Sequence, residues 1–244
     1  MAHKEECRLI LFGKSGVGKS SLGNTLIGKQ HFKVSASSSN VTQKCETAHL
    51  ESESGRILKI IDTPGIFDTK GESMLDEIKS CLQFLSPGPH AIIIVLMPNR
   101  VTKEDDRVID KIFEFFGDYH FLKKTILVMN RKTELTDKSE FMENTSANGI
   151  SKLYGGCEKR FVVVENKQVW ENRNADAEEV FKEIDKLEGY YDLEYLSLVH
   201  EQIKLLTEND ELKASCENVG KEMHEEKQSE EEDEAFSIYD CIFS

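Results

Sequence analysis

The sequence predicts an α/β fold, a mostly parallel sheet with helices on both faces, followed by a C-terminal helical extension. Three observations predict it. Apolar runs of strand length alternate with helical patterns through the body of the chain, glycines crowd one early turn, and the C-terminal part carries helical spacing and excess acid. The first strand is Arg8 to Phe12, bounded by glycine, and Ser20 to Ile27 continues at helical spacing. Ala48 to Ser52 reaches Ile57 through the turn Glu53-Ser54-Gly55, which predicts an antiparallel edge hairpin. Ile57 to Ile61, Ala91 to Leu96, Thr125 to Met129 and Phe161 to Val164 read as further strands. Helical patterns at Ser73 to Leu85, Lys103 to Phe116 and roughly Ser139 to Leu153 separate them. From Asp176 to about Glu225 the pattern is helical and reads as free of breakers. Within it Leu196, Val199, Ile203 and Leu206 form a heptad-like stripe, too short to establish a coiled coil; docking on the body is the simpler expectation. Residues 225–240 are acidic and poor in apolar side chains, a composition that predicts disorder.

Composition narrows the function. At 244 residues and 27.8 kDa the chain accommodates one domain with an appendage. No apolar run approaches the roughly 20 residues that cross a bilayer, and the polar start Met1 to Glu6 does not read as a signal sequence, so a cytoplasmic protein is expected. Lys plus Arg number 31 against 45 Asp plus Glu, a net charge of -14, which argues against a nucleic-acid partner. From Glu201 onward 14 acidic residues face 4 basic ones, so most of the excess lies there and the body is nearly balanced. The six cysteines form no Cys-x-x-Cys pair, which points away from zinc and disulfide frameworks and toward a reducing compartment.

Gly13-Lys14-Ser15-Gly16-Val17-Gly18-Lys19-Ser20 matches G-x-x-x-x-G-K-[ST], and it lies where that motif acts, between a strand and a helix. Glycines let backbone N–H groups converge on phosphate oxygens, and the helix N-terminus adds positive potential. Lys19 neutralises the β- and γ-phosphates and the Ser20 hydroxyl ligates magnesium, with Ser21 next in the helix. Asp62-Thr63-Pro64-Gly65 ends the Ile57 strand, where Asp62 reaches magnesium directly or through water and the Gly65 N–H senses the γ-phosphate. Between the two motifs, residues 29–46 are rich in Ser and Thr and suit a loop that orders around a nucleoside triphosphate. Thr42 is the first choice for a third magnesium ligand, with Ser38 and Ser39 as rivals. The two sequons, Asn40-Val41-Thr42 and Asn144-Thr145-Ser146, read as chance in a cytosolic protein.

Read with Leu85-Ser86-Pro87-Gly88-Pro89-His90-Ala91 and the apolar run after it, these motifs resemble the immunity-associated nucleotide-binding proteins, the GTPase IMAP family. Gly23-Asn24-Thr25-Leu26-Ile27-Gly28, Gly65-Ile66-Phe67-Asp68-Thr69 and the helix from Thr102 to Gly117 extend the likeness, which covers about Glu6 to Asp192. The resemblance implies a P-loop NTPase of the G-domain kind, similar to septins and Toc proteins, over residues 6–192. It implies a C-terminal helical extension, which the residues place at 193–224, before the acidic tail that composition places at 225–244. It also implies GTP/GDP with Mg2+ as ligands, and dimer or oligomer formation through the nucleotide face.

Two positions depart from the family pattern. The base-recognition segment reads Asn130-Arg131-Lys132-Thr133, where the family carries a carboxylate last. A hydroxyl replaces only part of a carboxylate's paired bonds to guanine, a loss of roughly 1.5–3 kcal/mol. Glu165-Asn166 stands where the family has two asparagines, and the retained Asn166 is expected beside the base. Ile66 and Phe67 follow Gly65, so no water-positioning glutamine is present there. Arg100, just past the Ala91 to Leu96 strand, is the candidate catalytic arginine to act across a dimer interface. A nucleotide-gated scaffold that turns over little, and an ATP-selective protein freed from guanine by Thr133, stand as alternatives. The last four residues, Cys241-Ile242-Phe243-Ser244, fit a prenylation signal, from which membrane contact through a lipidated Cys241 is expected.

Overall fold

The computed structural model describes residues 6–34, 44–65, 73–98, 103–130, 148–166, 170–211 and 213. Contacts divide the chain into two units, Met1–Ser197 and Leu198–Ser244. The first unit holds the strands β1 (Glu6–Phe12), β2 (Glu46–Glu51), β3 (Ile57–Asp62), β4 (Ala91–Leu96), β5 (Thr125–Asn130) and β6 (Phe161–Val164). Its helices are α1 (Lys19–Ile27), α2 (Ser73–Leu82), α3 (Lys103–Phe116), α4 (Asn148–Gly156) and α5 (Trp170–Ile184). A sixth helix, α6, spans 193–211.

The sheet runs β2-β3-β1-β4-β5-β6. All neighbours pair in parallel except β2, which returns antiparallel on β3 with Glu46 opposite Asp62, as the hairpin turn predicts. Alternate residues of the central strands face opposite sides. Ile10, Phe12, Ile92, Ile94 and Leu96 pack under α2, α3 and α4 through Ile78, Ile112 and Leu153. Leu9, Leu11, Ile93 and Val95 pack under α1 and α5 through Leu22, Leu26, Val180 and Phe181. Helices therefore cover both faces. Each of these side chains is buried, and full burial of one stabilises the fold by about 1.5–3 kcal/mol.

Three elements differ from the sequence expectation. The helix expected over Ser139 to Leu153 runs Asn148–Gly156, with the expected part before Asn148 outside the described residues. The helix expected to begin at Asp176 begins at Trp170. The continuous helix expected from there to Glu225 is broken after Ile184, and helix resumes only at 193. Gly189, with φ of 67°, makes the turn that the breaker-free reading overlooked.

The connector that follows Gly189 is held by the backbone of the segment before β4. Tyr191 N donates to the Pro89 carbonyl at 2.8 Å, and Leu193 N to the Pro87 carbonyl at 3.1 Å. A Cβ on Gly88 would lie 1.8 Å from the Tyr191 carbonyl oxygen, so only glycine lets the two backbones meet there. Arg8 Nε donates to the Gly88 carbonyl at 2.6 Å and ties the same turn to β1. The Tyr191 ring is buried edge-on against Phe116, and Leu193 and Leu196 join the same core. In the second unit Leu198, Ile203, Leu205 and Leu206 are exposed. Among the described residues no helix is long and apolar enough to cross a membrane.

Candidate functional site

The C-terminal end of β1 runs directly into the glycine loop, which α1 then closes. Gly13, Gly16 and Gly18 take φ of 144°, 72° and 99°. Gly18 caps α1 in the left-handed conformation, and a Cβ there would lie 2.3 Å from Asn130 Nδ2. Lys19, 6% exposed, folds back over the loop and donates Nζ to the carbonyls of Gly13 and Lys14, both at 3.0 Å. Val17 is buried among the side chains under α1, which fixes the loop to the core.

Across from the loop, β3 ends in Asp62, fully buried. Ser20 Oγ donates to Asp62 Oδ2 at 2.5 Å, while Oδ1 is buried with no hydrogen-bond partner. Burial pushes the Asp62 carboxyl up to about 6, against the lowering effects of the Ser20 hydrogen bond and the Lys19 charge. An orphaned carboxylate oxygen beside a hydroxyl is a donor set that a small hard cation completes, and Mg2+ with its own waters and phosphate oxygens needs only one or two protein ligands. Ser20 and Asp62 therefore fit Mg2+. Among the described residues no group of three or more His, Cys, Asp and Glu could hold a metal ion. The next residue, Thr63, donates its hydroxyl to the Leu11 carbonyl at 2.7 Å and locks the end of β3 against β1; Gly65 is buried two residues further on.

The ends of β5 and β6 close the other side of the loop. Asn130 Nδ2 donates to the Val17 carbonyl at 2.9 Å, and its Oδ1 accepts the Asn166 N–H at 3.3 Å. Asn166 Oδ1 in turn accepts the Thr25 hydroxyl at 3.0 Å, and Asn166 Nδ2 reaches the Gly18 carbonyl at 3.5 Å. Both asparagines are buried. Glu165 N donates to Asp176 Oδ2 at 2.7 Å, which sets the exit of β6 on α5.

The structure thus brings together Gly13, Lys14, Ser15, Gly16, Val17, Gly18, Lys19, Ser20 and Ser21 with Asp62, Asn130 and Asn166. Thr42, Arg100, Arg131, Thr133 and Cys241 lie outside the described residues. Three supporting residues escaped the sequence reading. Lys14 Nζ pairs with the buried Asp105 carboxylate at 2.7 Å and braces the loop on α3. Asp105 belongs to an acidic first turn, Glu104-Asp105-Asp106, whose ordinary reading is a favourable charge at a helix N-terminus. Thr25 links α1 to β6 as above. Asn24 accepts the backbone N–H groups of His31 and Phe32 at 2.8 Å and donates to the Phe32 carbonyl at 2.9 Å, holding the chain as it leaves α1. Its place in Gly23-Asn24-Thr25 was the available signal.

Fold and site together define a P-loop nucleotide-binding domain with the G-domain fold. Solved structures share that fold: Toc33 from Arabidopsis thaliana in complex with Mg2+ and GMPPNP aligns with a TM-score of 0.52 at 21% identity, covering 72% of this chain and 85% of that one. A structure bearing on the importance of dimerization for the GTPase activity of the chloroplast translocon components atToc33 and psToc159 aligns with a TM-score of 0.56, at 21% identity over 76% of this chain and 85% of that one. The chain belongs to the AIG1 family, whose model matches residues 7–215. Immune-associated nucleotide-binding protein 9 of Arabidopsis thaliana is 30% identical over 219 residues, 84% of this chain and 63% of that protein's length.

Proposed function

We propose that the chain binds GTP and GDP with Mg2+ and that the bound nucleotide controls its association with a second copy through the nucleotide edge of the sheet. The observation that carries this reading is the Ser20 hydroxyl on Asp62 beside an orphaned buried Oδ1, with Lys19 folded over the same loop. Lys19 and the loop N–H groups would hold the phosphates, Ser20 and Asp62 the cation, and Asn130 and Asn166 would shape the base edge. Bound Mg2+ neutralises charge on the β- and γ-phosphate oxygens. Membership of the AIG1 family supports guanine as the base.

Calorimetric titration with GTP, GDP and ATP tests the base. Guanine nucleotides are expected to bind more tightly than ATP, and Thr133→Asp is expected to tighten them by about ten- to a hundredfold, the value of a charge-assisted double bond. Tighter ATP binding overturns the guanine assignment. Hydrolysis to GDP and phosphate is proposed to be slow alone and faster in the dimer, with Arg100 supplied by the partner. The reported importance of dimerization for GTPase activity in atToc33 supports this. Specific activity should rise with protein concentration and fall in Arg100→Ala. A flat profile favours instead a scaffold gated by nucleotide, the reading suggested by Ile66 and Phe67 where a water-positioning side chain would stand.

A further inference from the structure

The phosphate loop carries two lysines, and the structure gives them different tasks. Lys19 Nζ stays within the loop, on the carbonyls of Gly13 and Lys14 at 3.0 Å each. Lys14 turns its own ammonium away from the loop and onto α3, where Nζ meets Asp105 Oδ2 at 2.7 Å. Both charges are nearly withdrawn from solvent, with the two side chains 11% and 4% exposed. Lys14 therefore stands between the other two groups: its carbonyl accepts from Lys19, and its ammonium donates to Asp105. Asp106, the next residue in the first turn of α3, accepts the Gly149 N–H of α4 at 3.0 Å. The contact is close, since a Cβ on Gly149 would lie 2.8 Å from that carboxylate oxygen. Neighbouring carboxylates of one helical turn thus hold the phosphate loop and the start of α4.

We propose that Asp105 is an internal counter-ion with which bound phosphates compete for the Lys14 ammonium, so that a nucleotide in the loop loosens its tie to the first turn of α3. The inference deepens the nucleotide binding proposed above and rests on it. A brace alone need not be ionic: a buried ion pair gives up the hydration of both charges, and a well-packed apolar pair of similar volume often holds as well or better. An ionic tie differs in that it responds to charge. Phosphate oxygens held by the loop N–H groups attract Lys14 and repel Asp105, and burial keeps water and salt from screening either force. A phosphate oxygen on Lys19 also draws on the ammonium that the Lys14 carbonyl shares, so both effects fall on the same residue. Linkage makes the effect reciprocal. Contacts that hold the first turn of α3 against the loop weaken nucleotide binding by the factor by which nucleotide weakens the tie.

Titration calorimetry of the full chain with GMPPNP tests the competition. Asp105→Asn keeps the shape of the side chain and an oxygen that accepts from Lys14, and it removes the rival charge. GMPPNP affinity should rise about three- to tenfold, the net value of one hydrogen bond gained. In a Lys14→Met background the same substitution should give no gain. A gain of equal size in both backgrounds, or none in the first, overturns the proposal. The wild type supplies an independent readout through the Gly149 amide, whose acceptor lies in the loosened turn. GMPPNP should speed hydrogen exchange there while slowing it in α1, the reverse of the slowing that ligand stabilisation alone produces. Slower exchange at Gly149 overturns the proposal and leaves the nucleotide assignment standing. Failure of GMPPNP to bind any of these proteins counts against the nucleotide assignment itself and takes this inference with it.

Discussion

Asp62 and Asn130 are both buried polar residues at strand ends, yet they have opposite unmet needs. Asp62 keeps one oxygen without a partner, whereas Asn130 spends its amide on Val17 and its carbonyl on Asn166. The first arrangement leaves a buried acceptor unused, and the second uses both ends of its amide within the protein. Asp62→Asn is accordingly expected to abolish the Mg2+ dependence of GTP affinity while leaving folding intact, which calorimetry with and without EDTA checks. Asn130→Ala leaves the Val17 carbonyl and the Asn166 N–H unmatched in a buried place, at about 1–3 kcal/mol. It should lower the denaturation midpoint as well as nucleotide affinity. Most of this site was legible in the sequence, because G-x-x-x-x-G-K-[ST] and Asp62-Thr63-Pro64-Gly65 are local patterns whose chemistry fixes their residue types. Lys14 with Asp105 and Thr25 with Asn166 were not legible: these partners are 91 and 141 positions apart, and only the fold brings them together.

At the scale of elements, the turn Pro87-Gly88-Pro89-His90 acquires a physical role. It resembled a family signature in the sequence, and in the structure its carbonyls receive the connector between α5 and α6. Gly88→Ala would push a methyl group into the Tyr191 carbonyl, and backbone cannot yield as a flexible side chain does. A destabilisation of about 1–3 kcal/mol is expected, with faster amide exchange at Tyr191 and Leu193 and nearly unchanged exchange in α1. Ala91–Leu96, Lys103–Phe116 and Phe161–Val164 match the elements read from the sequence, since strand-length apolar runs and a strong helical period leave little choice. The break at Gly189 was lost because a long acidic, helix-favouring stretch surrounds a single glycine, and the bonds that hold the break come from a segment a hundred residues earlier.

For the whole molecule, α/β class, strand pairing and the two-faced core follow from alternation that the sequence displays openly. The extent of the first unit does not, because it depends on which side chains after α5 find a buried place. Tyr191, Leu193 and Leu196 do, and Leu198 does not. A chain ended after Ser197 should therefore keep the melting temperature of the first unit. One ended after Glu188 should lose several kcal/mol, about 1.5–3 for each of the three buried side chains. Differential scanning calorimetry of the two truncations checks this, and equal midpoints would contradict it.

The parallel sheet also has a polarity that matters beyond binding. The phosphate loop lies where the strands finish, whereas Glu6 and the residues after Tyr191 lie where they start, beside the turn at Gly88. Glu6 and the connector at Tyr191 therefore lie at the end of the sheet away from the phosphate loop. A fluorophore, an affinity handle or a surface linkage attached at either place would leave the loop end of the sheet open to solution, where the proposed nucleotide-dependent capture of a second copy can be measured.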